Sequence, residues 1–364
     1  MSFLRSTLVR YSALLLLLSS CALGSIRPSF YLDACSWNAT EIVVLAPSAQ
    51  AGTFRVIEVI KGELGQGESL ELPSLTPPRE GTARLDELSS RDFNHPFEVV
   101  PPIGQSDRLI VFLRRPGALP EYNPRPDLPV DTSGWEPANF MMGGDLRTSA
   151  VWIQDGVTYV FAQTMNPGST RLTALLMSET QLRKSVQSVL QLRGAMDRAL
   201  ANPDPAERSG QFGALVRSGN LFARNSALQK LERGGVSDVK VLVDLLSDQS
   251  LLGWHQDIID ALVRKRVADV HFGEFLGEET TYWSRSCRTL KPGWWNGAQY
   301  PAVEMARNRY TRAYALLEAI RELNLSEAIP VVREFAAVWS RCPPLDRREK
   351  TDQIAEALKL LVGD

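Results

Sequence analysis

Three histidines, four cysteines and one stretch rich in aromatic rings and arginine are the residues of this chain whose chemistry would stand out. The histidines are His95, His255 and His271. No two of them flank a glutamate at i, i+4, the spacing that sets two imidazoles around a zinc ion on one helix face. His271 and Cys287 would supply two ligands, about half of what a zinc site takes. A Cys287–histidine pair would make a thiolate nucleophile, but a disulfide at Cys287 would silence it. No Gly-x-Ser-x-Gly elbow presents a serine. Lys61 to Glu68 is glycine-rich, but a strand pattern follows it, whereas a phosphate cradle needs a helix N-terminus there. That segment reads as a turn. Read alone, the sequence assigns no catalytic residue, no metal and no cofactor, and a non-catalytic protein is the favoured reading.

The stretch from Tyr282 to Tyr300 is different. Tyr282, Trp283, Trp294, Trp295 and Tyr300 cluster there with Arg285, Arg288 and Lys291 around Pro292-Gly293. Aromatic rings and arginine are what interface hot spots use. These residues are the binding candidates. The competing reading has the rings buried as a plug, because large rings are mostly buried somewhere. Cys287 and Cys342 both lie in the C-terminal half and are the natural disulfide pair. Closing that loop would stabilise by ~4 kcal/mol in the chain-entropy model. Pairs using Cys35, or three free buried thiols, stay open, since spacing does not fix connectivity.

The chain has 364 residues, enough for about two domains. Its hydrophobic fraction of 44% and charged fraction of 23% are globular values. A formal net charge of −2 gives no global pull toward nucleic acid, and no recognition signature accompanies the basic residues. Residues 1–24 read as a signal peptide: Arg5 and Arg10 flank the apolar run Ala13 to Leu18, which is too short to span a bilayer. Ala22-Leu23-Gly24 before Ser25 suits ordinary cleavage. Leu18-Ser19-Ser20-Cys21 resembles the bacterial lipobox, which would make Cys21 the lipidated mature N-terminus. That resemblance, with Ala22 next, implies a lipid anchor and an outer-membrane or periplasmic location; plain secretion is the other reading. Export in turn implies an oxidising compartment for the remaining thiols.

Around these residues the chain must supply two kinds of scaffold. Ile42 to Leu45 is a continuous apolar run, as in a strand buried on both faces. Thr53 to Ile60, Ser69 to Leu72, Asp107 to Arg114, Thr148 to Gln154 and Val157 to Gln163 are further strands, the last two joined by a hairpin turn at Asp155-Gly156. Proline-rich loops fill Leu75 to Gln105 and Pro116 to Pro137. Near Ser178 the pattern changes. Ser178 with Gln181 makes a capping box, and Leu182, Val186, Val189, Met196 and Leu200 recur at helical spacing. Asp204 caps a second helix, with Pro205 at its first position. Helical signals then run to the end, interrupted by an inserted loop at 270–302.

The expected architecture is α+β with two domains: a β-barrel over 30–175 and an all-α helical-repeat domain over 178–364. Ala39-Thr40-Glu41-Ile42-Val43-Val44 and Phe54 to Gly62 resemble the opening of a netrin-type barrel, the OB-like fold of the tissue inhibitors of metalloproteinases. In that family a mature N-terminal cysteine grips the protease metal through its free amine. Cys35 is the cysteine such a role would fall to, although neither cleavage reading places it at the N-terminus. Ala227 to Leu231 with Val241 to Leu246, and Ala315 to Ile320 with Ala328 to Val332, resemble HEAT-type helical hairpins. One hairpin cannot bury its own apolar face, so neighbours must stack. The function expected from these elements is binding of a protein partner in the cell envelope. A netrin-type protease inhibitor and an exported hydrolase are the alternatives.

Overall fold

The structure is a computed structural model that describes residues 27–28, 30–75, 108–118, 134–139, 146–154, 156–163, 170–267, 271–291, 293–294, 301–343 and 352–362. The signal segment with Cys21, both proline-rich loops in large part, His95, Trp295 and Tyr300 lie outside the described residues. The chain divides into two compact units, Met1–Arg193 and Gly194–Asp364. An antiparallel sheet dominates the first and helices form the second, an α+β layout in two parts.

The sheet unit contains β1 (Arg27–Pro28), α1 (Leu32–Asn38), β2 (Glu41–Pro47), β3 (Thr53–Lys61), β4 (Ser69–Glu71), β5 (Arg108–Arg114), β6 (Glu136–Pro137), β7 (Ala150–Gln154), β8 (Val157–Gln163) and β9 (Thr170–Ser178). Strand pairing runs β1-β8-β7-β5-β2-β3-β4, with β9 on β8 and β6 on β5. Among the described residues this path is open: no pairing joins β4 to the far end. The Gln154↔Val157 register makes the expected two-residue hairpin, with Gly156 at φ 79°. Thr170–Ser178, to which the sequence reading assigns no element of its own, extends the sheet as β9.

The unbroken apolar runs of β2 and β5 follow from burial on both sides. Val43, Leu45, Leu109, Val111 and Leu113 pack on one face with Phe54, Val56 and Trp152. Ile42, Val44, Ile110 and Phe112 pack on the other with Cys35, Leu182 and Val186. Alternate side chains leave a strand on opposite faces, so a strand covered on both sides has no polar position to spare. The second cover comes from α1 and from the start of α2 (Glu179–Ala201). The capping box forms: Ser178 N–H donates to Gln181 Oε1 at 2.9 Å, and Gln181 N–H donates to Ser178 Oγ at 3.3 Å. The change of pattern at Ser178 therefore marks a strand giving way to a helix, and the compact unit continues to Arg193.

Cys35 is fully buried, and its thiol lies 3.8 Å from both Ser149 Oγ and the Thr148 carbonyl oxygen. Burial pushes the thiol up to about 12, which keeps it protonated and unreactive. Glu41, also fully buried, ties the end of β3 to β2. Its Oε2 accepts the N–H groups of Glu63 at 2.9 Å and Leu64 at 3.2 Å, and its Oε1 pairs with Arg115.

The helical unit contains α3 (Pro205–Val216), α4 (Leu221–Arg233), α5 (Val236–Ser247), α6 (His255–Arg264), α7 (Phe272–Ser286), α8 (Pro301–Glu322), α9 (Ile329–Trp339) and α10 (Gln353–Val362). Local signals set several boundaries. Asp204 Oδ1 accepts the N–H groups of Ala206 and Glu207 ahead of Pro205, and Asn220 Oδ1 accepts those of Phe222 and Ala223. Gly234 and Gly235 end α4 and start α5. Packing alternates along the chain: α4 lies on α6, α6 on α8 and α8 on α10, while α3 pairs with α5 and α7 with α9. The loop expected over 270–302 is corrected in its first half, where Phe272–Ser286 is a helix.

Candidate functional site

Helix α7 places the aromatic and arginine-rich stretch. Phe272, Phe275, Leu276, Glu279 and Trp283 are buried along one face at helical spacing. A Cβ built at Gly273 would lie 3.5 Å from Ala328 Cβ, an ordinary van der Waals contact. Two glycines, two threonines and a buried glutamate blur the apolar stripe, which is why the segment reads as an insertion from sequence.

Below the end of α7 sits an aromatic cluster. Trp283 is fully buried and meets Trp339 edge-on at 4.9 Å between ring centroids and Trp294 at 5.8 Å. Tyr310 lies 5.7 Å and Phe335 6.1 Å from Trp339. Trp339 Nε1 donates to Asp352 Oδ2 at 2.8 Å. Asp352 Oδ1 accepts the Ala355 N–H and so also caps α10. Burial, and then the Asp352 charge, push the Tyr310 phenol up, so it stays a neutral hydrogen-bonding group.

The two cysteines of the helical unit are joined: Cys287 at the end of α7 bonds to Cys342 just past α9, with Cα atoms 4.5 Å apart. The bond spans 55 residues, and a loop of that length loses ~4 kcal/mol of denatured-chain entropy on closure. Reduction, or Cys287→Ser with Cys342→Ser, is expected to lower the stability of the helical unit by about 2–4 kcal/mol. Chemical denaturation with and without reductant checks this; coincident curves would show a bond that constrains nothing.

Beside the rings lies a buried polar cluster that the sequence did not announce. Glu279 and Arg312 are fully buried. Glu279 Oε1 accepts from Arg312 Nη1 at 2.6 Å and from Arg309 Nη1 at 2.7 Å. Arg312 Nη2 reaches Glu278 Oε2 at 2.9 Å, and Arg309 Nη2 reaches Gln249 Oε1 at 2.6 Å. The Arg309 guanidinium also lies 5.0 Å from the Tyr282 ring centroid. Burial raises the Glu279 carboxyl above its usual range, and the two guanidiniums pull it back. With one oxygen shared by two arginines and the side chain closed to solvent, Glu279 is a charge hub and not an acid poised for a substrate.

His255 is fully buried, and its Nε2 lies 3.0 Å from the Asp248 carbonyl oxygen. Burial first, then the Arg312 charge, lower its pKa to about 4, so it folds neutral. The unfolded chain takes up that proton near the ordinary value of 6.5. Between the two values the unfolded state binds more protons, so the His255 contribution is complete above 6.5 and is lost as pH falls toward 4. Its full size is about 3 kcal/mol. Glu279, with its raised pKa, acts in the opposite sense in acid. Denaturation of wild type and His255→Gln between pH 7 and pH 4 is expected to show a flatter pH dependence in the variant; equal slopes would remove His255 as the cause.

The sequence-derived candidates separate by depth. Trp283 and Trp294 are buried, Tyr282 is half-buried, and Arg285, Arg288 and Lys291 are exposed. Trp295 and Tyr300 lie outside the described residues. His271 and Cys287 stand at opposite ends of α7, about 24 Å apart at the helical rise, so they share no metal. Among the described residues no group of three or more histidine, cysteine, aspartate or glutamate side chains is placed to hold a metal ion. Arg309, Arg312, Glu279 and Trp339 were not legible as a set. The trace they leave is a pair of arginines three apart inside the apolar stripe of α8. No family model, curated protein or solved structure matches this chain.

Proposed function

We propose that this chain is a non-catalytic binding protein of the cell envelope, whose helical unit docks a protein partner at the corner formed by α7 and the tip of α9. One observation carries the reading. The corner is cross-linked by Cys287–Cys342 and filled from below by Trp283, Trp294 and Trp339, while Tyr282, Arg285 and Arg288 are left toward the outside. A rigid corner loses little conformational entropy on binding, and tyrosine and arginine are favoured contact residues. The alternating helix packing is what a HEAT-like array would use to present such a corner. The netrin-type barrel stays a proposal for the sheet unit; it would need the open strand path to close. The protease-inhibitor reading has no observation in its favour, because Cys35 is buried.

Export, with anchoring through a lipidated Cys21, belongs to the same proposal. The disulfide is compatible with an oxidising compartment. Cross-linked capture from envelope fractions tests the reading. A partner held by wild type is expected to be lost by Tyr282→Ala with Arg285→Ala. Retention of every partner by that variant would overturn it. Trp294 is no substitute for Tyr282 in this test, because it is 5% exposed and its removal would damage the core.

A further inference from the structure

We infer that the corner recognises an acidic protein segment, through a cluster of cations that the disulfide gathers. Arg288 directly follows Cys287, and Arg341 directly precedes Cys342. With the two cysteine Cα atoms 4.5 Å apart, the Cα atoms of these arginines lie within about 12 Å of each other. Arg285 and Lys291 extend the cluster along the end of α7 and the turn after it. All four side chains are exposed.

None of the four makes an ion pair among the described residues. Other arginines of this unit do: Arg217 pairs with Asp244 and Asp248, Arg264 with Glu232, and Arg321 with Glu318. In a chain whose formal charge is −2, four cations with no ion pair among the described residues stand together at one cross-linked point. Three of them are arginine, whose planar fork takes a carboxylate through two hydrogen bonds. The C-terminal ends of α7 and α9 account for one or two cations through the helix dipole, but not for a cluster that spans both. Charge complementarity therefore names an acidic segment as the occupant. The bond tightens a juxtaposition that the packing of α7 on α9 also supports, so the cluster is expected to loosen, not to vanish, on reduction.

This inference rests on the binding reading above. A labelled oligoglutamate, titrated against the oxidised full chain and followed by fluorescence anisotropy, tests it. Binding is expected to weaken as salt is added, and to fall about tenfold in Arg285→Glu with Arg288→Glu. Arg285→Gln with Arg288→Gln is expected to lie between that variant and wild type. Cys287→Ser with Cys342→Ser is expected to bind several-fold more weakly, with its helix content checked by circular dichroism. Unchanged affinity in the charge-reversal variant overturns the inference. So does binding to vesicles of phosphatidylglycerol without binding to oligoglutamate. A partner captured through Tyr282 yet indifferent to salt and to charge reversal would overturn the acidic assignment and leave the binding reading standing.

Discussion

Glu279→Ala is expected to lower the stability of the helical unit by about 5 kcal/mol, the upper end of the range for breaking a buried ion pair. The carboxylate stands between two guanidiniums that have little other negative charge within reach. Arg312 is fully buried and, among the described residues, would keep the half-exposed Glu278 as its one ion-pair partner. Arg309 would keep the neutral amide of Gln249. Two cations would then face each other out of water with their shared counter-charge gone. Glu279→Gln separates the two components, since the amide oxygen still accepts a hydrogen bond while the charge is lost. Its expected cost is about half that of the alanine variant. Hydrogen-exchange protection of α7 and α8 amides reads the effect where it arises. A Glu279→Ala protein with wild-type protection would mean that solvent reaches the arginines, contrary to their burial.

The same cluster shows why the sequence was legible in some places and not in others. Signals that act between neighbours in the chain were readable: the Ser178–Gln181 capping box, the Asp204 cap before Pro205, the glycine break after α4 and the hairpin that pairs Gln154 with Val157 all form. The two-sided burial of β2 was readable for the same reason, because alternation leaves its mark within one strand. Helix α7 was not, because its apolar face is completed by Glu279, whose burial depends on arginines about thirty residues further on. No local pattern reports such a partner. The rings of the Tyr282–Tyr300 stretch were visible as a cluster, but their depth was not. Trp339 and Tyr310, which enclose them, come from other helices. Strand β9 escaped notice because its register on β8, and not its own composition, makes it a strand.

In the sheet unit the corresponding weak point is Gly62, and Gly62→Ala is expected to cost about 4 kcal/mol. Gly62 has φ 113°, a conformation L-residues rarely adopt, worth ~1–3 kcal/mol for alanine. The larger part is steric and electrostatic. An added Cβ would fall 1.7 Å from Glu41 Oε2, so the carboxylate would have to leave. Leaving strands the N–H groups of Glu63 and Leu64 and separates Glu41 from Arg115. Arg115 is partly exposed and also reaches Glu63, so water and Glu63 screen that separation, and the stranded N–H groups carry most of the loss. Gly67→Ala is the matched control: φ is 91°, and nothing lies within 4 Å of the added Cβ. It is expected to show the conformational cost alone, about 1–2 kcal/mol. Glu41→Ala combined with Gly62→Ala is expected to be less damaging than the sum of the two single changes, since removing the carboxylate removes the clash. Protection of β2 and β3 amides against hydrogen exchange measures all four proteins on one scale. Equal losses for Gly62→Ala and Gly67→Ala would mean that Glu41 yields without cost, and that the buried carboxylate does not hold β3 to β2.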